Sequence, residues 1–215
     1  MGVEVRLSSY IEADDVIRES PDEVIVATGS IPRLDGIQIE NPGEPIEGIL
    51  LPHVLFSGDL FMNSQKDLGS SAVVIDDVGH YEAIATVEHL LKEGLSVTLV
   101  TRLASMAPLL ETALTVRPAL GRIGMRDFHF HPRTRVTRIE RGTVTIAPTY
   151  LPVNTNSSIQ VSADSVIFIS HNLPMRDLYN ELRSKGISSH IVGDANSPRF
   201  LAYAIREGYL AGARV

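Results

Sequence analysis

The sequence predicts an α/β protein in which a domain with a parallel β-sheet is inserted into a second domain. The first observation is a strand–helix–strand unit at residues 73–102, where two apolar runs flank a helix-length stretch. A short helical connection of this kind strongly implies parallel strands in a right-handed β-α-β unit. The second observation is that neither flank has enough strands for a core of its own. We therefore assign residues 1–69 and 171–215 to one domain and residues 70–170 to the other.

The composition is that of a globular protein and excludes several classes of function. The chain has 215 residues, 44% apolar and 21% charged, with a net charge of −7 and only scattered basic residues, which argues against nucleic-acid binding. No apolar run approaches the length of a membrane span and no signal-like segment is seen, so we expect a cytoplasmic protein. The chain has no cysteine, which excludes disulfides, a thiol–flavin couple and a cysteine-ligated iron–sulfur cluster within it.

The first flank predicts short strands and irregular loops. Residues VEVRLSSYIEADDVI alternate and predict a hairpin or edge strands. A buried strand, Val24–Ala27, runs directly into Thr28 and Gly29. Residues 30–48 hold three prolines and three glycines and predict a loop. Farther on, ILLPHVL predicts a short strand, SGDLFMN a short helix and Gln65–Ser71 a polar linker.

The inserted domain predicts alternating strands and helices. Apolar residues at helical spacing predict a helix over 81–93 that ends at the cap glycine Gly94, and Leu95–Val100 predicts the next parallel strand. Residues 108–124 predict an interrupted helix, and residues 126–149 predict a group of strands with a turn at Arg141-Gly142. A buried strand is predicted at Ser165–Ile169.

The second flank predicts a helix, a short strand and a final helix. The first helix spans Met175–Lys185 and the strand spans His190–Val192. Ser197 is a suitable N-cap for a last helix over Pro198–Ala213, because proline is favoured in the first turn. The large aromatic residues of this helix are predicted to be core or interface residues: Phe200, Tyr203 and Tyr209.

Two turns of the flanking domain have the composition of a nucleotide-binding edge. Strand Val24–Ala27 ends in Ala27, Thr28 and Gly29, and glycine lets a ligand approach the backbone closely. The last strand ends in Gly193 and Asp194, where a carboxylate suits ribose or ribityl hydroxyls and helix N–H groups suit a phosphate. The alternative is an ordinary glycine turn followed by helix capping. The two turns lie about 165 residues apart around a β-α-β insertion, and this combination favours ligand binding.

Four stretches of the chain resemble a known family. They are DEVIVATGSIPR, VVIDDVGHYEA with GLSVTLVTR, SADSVIFIS with LYNELR, and VGDANSPRFLAYAIREGYLAGAR, which cover most of residues 20–214. They resemble the C-terminal half of the NADH:flavin oxidoreductases related to trimethylamine, dimethylamine and histamine dehydrogenases and to 2,4-dienoyl-CoA reductase. That half has the architecture of the pyridine nucleotide–disulfide reductases. The resemblance implies a Rossmann-like parallel-sheet domain inserted into an incomplete FAD/NAD(P)-binding domain.

The resemblance also implies cofactors and partners. Ala27, Thr28, Gly29, Gly193 and Asp194 would line a site for FAD or ADP. FMN and a 4Fe-4S cluster are expected only in the family's N-terminal flavin barrel, which this sequence lacks together with the first GxGxxG segment. We therefore expect an inactive fragment of a longer enzyme, with a naturally shortened product as the alternative. The expected partners are the flavin-barrel domain and a second copy in a homo-oligomer, with no membrane or nucleic acid.

The first turn of the inserted domain departs from a dinucleotide-binding loop. G-x-G-x-x-G placed directly after the strand puts its glycine positions at Asp76, Val78 and Tyr81, and a shift by one residue recovers only Gly79. A carboxylate repels a pyrophosphate at contact by about 1 kcal/mol in water and more when partly buried. Two acidic residues here also suit the dipole of the following helix. We predict that Asp76 or Asp77 fills the anion site, which disfavours NAD(P)H.

Arg102 is the remaining candidate for a cofactor contact. It follows the second strand, where NAD sites usually carry an acidic residue, and an arginine suits the 2′-phosphate of NADPH. Because the turn is altered, we favour a solvated arginine at a strand end. His129 and His131 have a spacing that suits a metal, but no third ligand lies near them in the sequence, so we predict packing or surface histidines.

Two functions from different classes follow from these patterns. The first is the nucleotide-binding region of a flavin-dependent NAD(P)H or amine oxidoreductase, with hydride chemistry at FMN in another domain and no catalytic residue in this chain. The second is a non-catalytic scaffold or interaction module with a vestigial nucleotide-binding fold. The altered turn favours the second, whereas the ATG and GD turns favour the first.

Overall fold

The chain folds as a mixed α/β protein with two compact units. The computed structural model describes residues 2–62, 67–152 and 157–215. One unit, called here the flanking unit, consists of Met1–Ile31 and Asn172–Val215. The other, called the middle unit, is Pro32–His171. The division therefore falls near residue 31, and the assignment of residues 1–69 to one nucleotide-binding domain stays a prediction.

The strands and helices follow each other in an order typical of α/β proteins. The strands are β1 (Ile25–Val26), β2 (Ser30–Ile31), β3 (Val54–Phe56), β4 (Ser71–Asp76), β5 (Ser96–Thr101), β6 (Phe128–His131), β7 (Thr134–Glu140), β8 (Gly142–Pro148), β9 (Ile159–Ala163), β10 (Ser165–Ile169), β11 (Leu173–Pro174) and β12 (His190–Ile191). The helices are α1 (Ala13–Glu19), α2 (Ser57–Met62), α3 (Tyr81–Lys92), α4 (Val116–Ile123), α5 (Asp177–Ser184) and α6 (Leu201–Gly212), with 3₁₀ turns at Pro108–Ala113 and Gly193–Ala195.

The middle unit is built on a five-stranded parallel sheet in the order β3-β10-β4-β5-β6. Its central strands are buried on both faces, as parallel strands usually are. Because side chains alternate along a strand, Val74 packs towards α3 and α4, whereas Val73 and Ile75 pack against the antiparallel sheet β7-β8-β9. The predicted α/β class and the β-α-β unit β4-α3-β5 are confirmed.

The flanking unit has a smaller core. Strands β1 and β12 form a parallel pair, and β2 and β11 form an antiparallel pair. Its cluster of buried apolar residues consists of Ala13, Val26 and Leu182. Helix α6 contains no buried residue. In the part of the chain that the structure describes, no helix is both long enough and apolar enough to cross a membrane.

Two predictions for the flanking unit are wrong. The predicted hairpin is replaced by irregular chain and by α1, because the backbone N–H of Glu12 donates to Asp15 (3.0 Å) and acidic residues favour the first turn of a helix. The last helix begins at Leu201, with Phe200 rather than Ser197 as its N-cap. The backbone N–H of Arg199 instead donates to Asp194 (3.2 Å), which keeps this segment outside the helix.

The aromatic residues of the last helix lie nearer the surface than expected for core residues. Tyr203 is 43% exposed and Tyr209 is 74% exposed, so neither is a core residue. Phe200 is half-buried and packs against the Tyr203 ring. Their role at an interface stays a prediction. Part of the predicted linker, residues 65 and 66, lies outside the described residues, and Ser71 already belongs to β4.

Candidate functional site

The two turns predicted to bind a nucleotide meet at one edge of the flanking unit. In the parallel pair, Val26 lies opposite Ile191, and the N–H of Val192 donates to the carbonyl of Val26 (3.0 Å). Because the strands run in the same direction, Ala27–Gly29 and Gly193–Asp194 leave the sheet at the same end. The carboxyl ends of parallel strands are the usual place for ligands in open α/β sheets.

A side-chain hydrogen bond joins the two turns. The hydroxyl of Ser30 donates to Oδ2 of Asp194 at 3.4 Å and accepts from Nδ2 of Asn172 at 3.2 Å. Sequence reasoning missed both residues. Ser30 directly follows Ala27–Gly29, so its proximity to this turn could have been predicted from the sequence. Asn172 stands 142 residues away from Ser30, and nothing in the sequence indicates their contact.

The first turn is held by backbone contacts and leaves space at its glycine. The hydroxyl of Thr28 donates to the carbonyl of Met175 (2.5 Å), and the N–H of Met175 donates to the carbonyl of Gly29 (3.0 Å). Gly29 has φ +78°, and no heavy atom lies within 4 Å of the position that a Cβ would occupy. The backbone conformation therefore favours glycine, and the missing Cβ leaves an open approach for a ligand.

The second turn is held by charged side chains. The N–H of Gly193 donates to Oε2 of Glu207 (2.8 Å), and the Arg199 guanidinium pairs with Glu207 and lies 4.7 Å above the Tyr203 ring. The Gly193 N–H, followed by Arg199, lowers the pKa of the Glu207 carboxyl below its ordinary value. From the other side, Arg176 donates to the carbonyl of Ala195 (3.2 Å). These contacts fix the position from which Asp194 projects.

A cavity of about 290 Å³ lies elsewhere in the flanking unit, among β12, α5 and α6. Its walls include Tyr179, Ser189 and Leu210. The hydroxyl of Ser189 is buried and has no hydrogen-bond partner among the described residues. The cavity mixes apolar and charged walls, so it indicates no particular ligand class.

The altered turn of the middle unit is hydrogen-bonded to its own aspartate. Asp76 ends β4, is only 1% exposed, and its Oδ1 accepts the backbone N–H groups of Val78 (2.9 Å) and Gly79 (2.8 Å). Oδ2 of Asp77 instead accepts the N–H of Ile39 (2.7 Å). Of the two predicted candidates, Asp76 is therefore the one that contacts the N–H groups of the turn.

Arg102 is engaged by the second aspartate. Its Nε lies 3.4 Å from Oδ1 of Asp77, its NH2 donates to the carbonyl of Asp77 (3.2 Å), and its side chain is 23% exposed. The interpretation as a solvated arginine is therefore wrong, because the buried Asp77 carboxylate draws the guanidinium inward. A role with a 2′-phosphate stays a prediction.

Burial raises the pKa of both aspartates. For Asp76 the Gly79 and Val78 N–H groups act in the opposite direction, and the charges of Asp77 and Glu82 reinforce the rise. For Asp77 the opposing effects are the Ile39 N–H and the charge of Arg102. This sheet edge thus presents negative, internally bonded groups where a dinucleotide turn presents free N–H groups.

The predicted histidine pair does not gain further ligands. His129 and His131 lie on β6 at the edge of the sheet, and Nε2 of His129 is 3.1 Å from Oδ1 of Asp127. Burial lowers the pKa of His131, and the neighbouring His129 adds to this effect. Within residues 2–62, 67–152 and 157–215, no group of three or more potential ligands has a geometry suited to a metal ion.

Comparison with known proteins identifies relatives among the oxidoreductases. No protein-family model matches the chain. The chain is 29% identical over 211 residues to bilirubin reductase of Mediterraneibacter gnavus and 26% identical over 224 residues to dimethylamine dehydrogenase of Hyphomicrobium sp.. These alignments cover 97% and 92% of the chain. The resemblance to the flavin oxidoreductase family is confirmed.

Solved structures give a further comparison. The 6-hydroxypseudooxynicotine amine oxidase from Pseudomonas geniculata N1 superposes with a TM-score of 0.87 at 29% identity, over 97% of this chain and 31% of that protein. A more distant NAD-dependent persulfide reductase from A. fulgidus, at 20% identity and a TM-score of 0.61, shares the fold. The chain spans about 30% of the length of the two relatives named above.

Proposed function

We propose that the chain supplies the nucleotide-binding region of a flavin-dependent oxidoreductase. In this proposal the middle unit is a Rossmann-like domain inserted into an FAD- or ADP-binding flanking domain. The observation that carries the proposal is the meeting of Ala27–Gly29 and Gly193–Asp194 at the carboxyl end of a parallel strand pair. The homology to oxidoreductases supports the same assignment.

The site would contribute binding and orientation. Gly29 lets the adenosine diphosphate part of the ligand approach the backbone, because a Cβ is absent and the space beside it is open. The Asp194 carboxylate would accept hydrogen bonds from ribose or ribityl hydroxyls, and Ser30 already donates to one of its oxygens. Hydride transfer would take place at FMN in another domain, so no residue of this chain is assigned a catalytic role.

Exposed apolar side chains in the flanking unit support a larger assembly. Val3, Val5 and Leu7 alternate along an extended segment and are exposed. On α6, Leu201, Ile205 and Tyr209 recur every four residues, which places them on one exposed face. An apolar surface of this kind is costly to leave in water. We propose that the flavin-barrel domain of the longer enzyme covers it, with a second copy of the chain as the alternative partner.

Calorimetric titration with ADP and FAD tests the proposed site. Asp194→Asn keeps the shape of the side chain and removes its charge, so we expect at least tenfold weaker binding. Asp22→Asn is the matched control, because this exposed aspartate lies in the same unit outside both turns. Equal affinity of the Asp194→Asn and Asp22→Asn proteins would contradict the assignment.

A non-catalytic scaffold is the second candidate function. The observation that favours it is the engagement of the Val78 and Gly79 N–H groups by Asp76. In this case neither ADP, FAD nor NAD(P)H would bind either unit. The scaffold function would be supported over the oxidoreductase function if ADP, FAD, NADH and NADPH all gave no binding heat. The measurement would be made on the folded protein and on its longer parent.

A further inference from the structure

The first turn of the middle unit has the position of an anion site. It joins the carboxyl end of β4 to the N-terminus of α3, a helix of 12 residues. The first N–H groups of a helix and its preceding turn normally bind anions in such a place. Here the Oδ1 atom of Asp76 accepts the Val78 and Gly79 N–H groups at 2.9 and 2.8 Å. A carboxylate of the chain thus stands where an anionic ligand would.

The second carboxylate oxygen of Asp76 indicates that burying this side chain in the turn is not the most stable arrangement. Oδ2 is buried and has no hydrogen-bond partner among the described residues. A buried polar atom without a partner destabilises the folded state. Asp77 and Glu82 add negative charge around it. The carboxylate is therefore held in a half-satisfied state by the N–H groups of the turn.

A second feature closes the same turn from outside. Gly79 has φ +78°, and a Cβ there would lie 2.4 Å from Cδ1 of Leu103 and 3.1 Å from Cδ of Pro108. The N–H of Leu109 donates to the Gly79 carbonyl at 3.3 Å. The space that a glycine would leave for a phosphate is thus filled by side chains of the following loop.

The covering segment, residues 107–114, is called here the strap. Its 3₁₀ turn, Pro108–Ala113, lies between Ala107 with φ +47° and Leu114 with φ +57°. A left-handed backbone at a residue other than glycine is strained. Ala107 and Leu110 are buried and anchor the strap against the core that includes α3. Packing of the strap against the core therefore holds it over the turn, although the backbone is strained at both ends of the strap.

We propose that the turn at residues 76–81 is an anion site occupied by its own Asp76 and closed by the strap and Leu103. Its ligand class is a phosphate or pyrophosphate group, which binds once the carboxylate and the covering side chain are removed. This inference does not depend on the flanking unit, because all the groups involved lie in Pro32–His171.

The test is binding of inorganic pyrophosphate and NADH to the Asp76→Gly/Leu103→Ala double variant. We expect no saturable binding by the natural protein up to millimolar ligand and at least tenfold tighter binding by the double variant, with smaller gains for each single change. Asp164→Asn is the charge-matched control, because Asp164 borders the opposite end of β4 and contacts Ser70 and Ser71. Binding by this control equal to that of the double variant would attribute the gain to net charge and overturn the proposal.

Two other outcomes would also overturn it. One is pyrophosphate binding by the natural protein with shifts of the Val78 and Gly79 amide signals. The other is a folded double variant, verified by circular dichroism and amide dispersion, that gains no affinity. If the double variant does not fold, the natural protein still gives a decisive readout by NMR. The Val78 and Gly79 amide shifts must then follow the titration of the Asp76 carboxyl carbon, with Asp77 and Glu82 as the facing charged groups, and independent titration contradicts the proposal.

Discussion

At the level of single residues, the Asp76 side chain occupies the backbone N–H groups of a turn that would otherwise be free to bind an anion. Sequence reasoning found the altered glycine positions and proposed either Asp76 or Asp77. Only the three-dimensional arrangement separates them, because Asp77 contacts Ile39 and Arg102, which lie 38 and 25 residues away. In the same way Ser30 was recoverable from its neighbours, whereas Asn172 was not, since it stands 142 residues from Ser30.

The buried state of Asp76 predicts an unusual dependence of stability on pH. Burial raises the pKa of Asp76 in the folded protein. The folded state therefore keeps this proton to a higher pH than the unfolded chain, and the free energy of unfolding falls as pH rises above about 4. Asp76→Asn has no proton to lose. Its free energy of unfolding relative to the natural protein should rise between about pH 4 and 7, as measured by urea denaturation.

Asp164 provides the control of opposite sign. Hydrogen bonds from Ser70 and Ser71 lower the pKa of Asp164 in the folded protein. Its carboxylate therefore contributes stability above the unfolded pKa, and the contribution is lost as pH falls through the folded value. The loss of stability caused by Asp164→Asn should therefore be complete and constant above about pH 4 and should shrink as the pH falls below that value. Parallel pH profiles for the two variants would show that neither effect is specific to its site.

At the scale of elements, predictions held where periodicity was long and failed where local capping competed with it. Helix α3 and strands β4 and β5 were predicted within a residue or two, because their apolar patterns match one buried face or a fully buried strand. The alternation of residues 3–17 instead predicted a hairpin or edge strands that the structure lacks there, since an alternating segment without a paired strand has no ladder. The start of α6 moved for a similar reason, because Asp194 binds the N–H of Arg199.

A loop side chain completes the antiparallel sheet of the middle unit. Gln38 is buried, its Nε2 donates to the carbonyl of Val136 (2.7 Å), and its Oε1 accepts the Val136 N–H (3.1 Å). These two hydrogen bonds take the place of hydrogen bonds from a neighbouring strand. They lie beside the register shift between Val136 and Arg138. Sequence reasoning placed Gln38 in an irregular loop and gave no sign of this contact.

Gln38→Ala should destabilise the protein by about 2–3 kcal/mol, because two buried backbone groups lose their partners. The measurement is the free energy of unfolding in urea. Gln160→Ala on β9 serves as control, since this glutamine is exposed on the same sheet, and it should change stability by no more than about 0.5 kcal/mol. Equal effects of the two substitutions would show that the Gln38 amide does not support β7.

At the scale of the whole molecule, the two units differ in how much apolar surface they bury. The middle unit has two large clusters of buried residues on the two faces of its sheet. The flanking unit has one small cluster of buried apolar residues and many exposed apolar side chains. Composition and periodicity predicted the α/β class. The exposure of the apolar face of α6 could not be predicted from the sequence, because an apolar stripe on a helix normally indicates burial.

Hydrogen exchange should reflect this difference. We expect slow exchange for amides of β4, β5 and β10 and exchange at least tenfold faster for amides of β1, β12 and α6, because local opening exposes little additional core in the flanking unit. Leu182→Ala should accelerate exchange further in the flanking unit, since it truncates the largest buried side chain of its core cluster. Equal protection of the two units would contradict this account of their cores.

Nucleotide footprinting on the natural protein tests whether ADP binds the two turns of the flanking unit and whether the turn at residues 76–81 is blocked. Amide shifts or exchange rates are followed while ADP and then NADH are added. We expect ADP to perturb residues 27–30 and 193–196 and NADH to leave residues 76–81 unchanged. Perturbation of the 76–81 turn by NADH, with no effect of ADP on residues 27–30 and 193–196, would contradict this expectation.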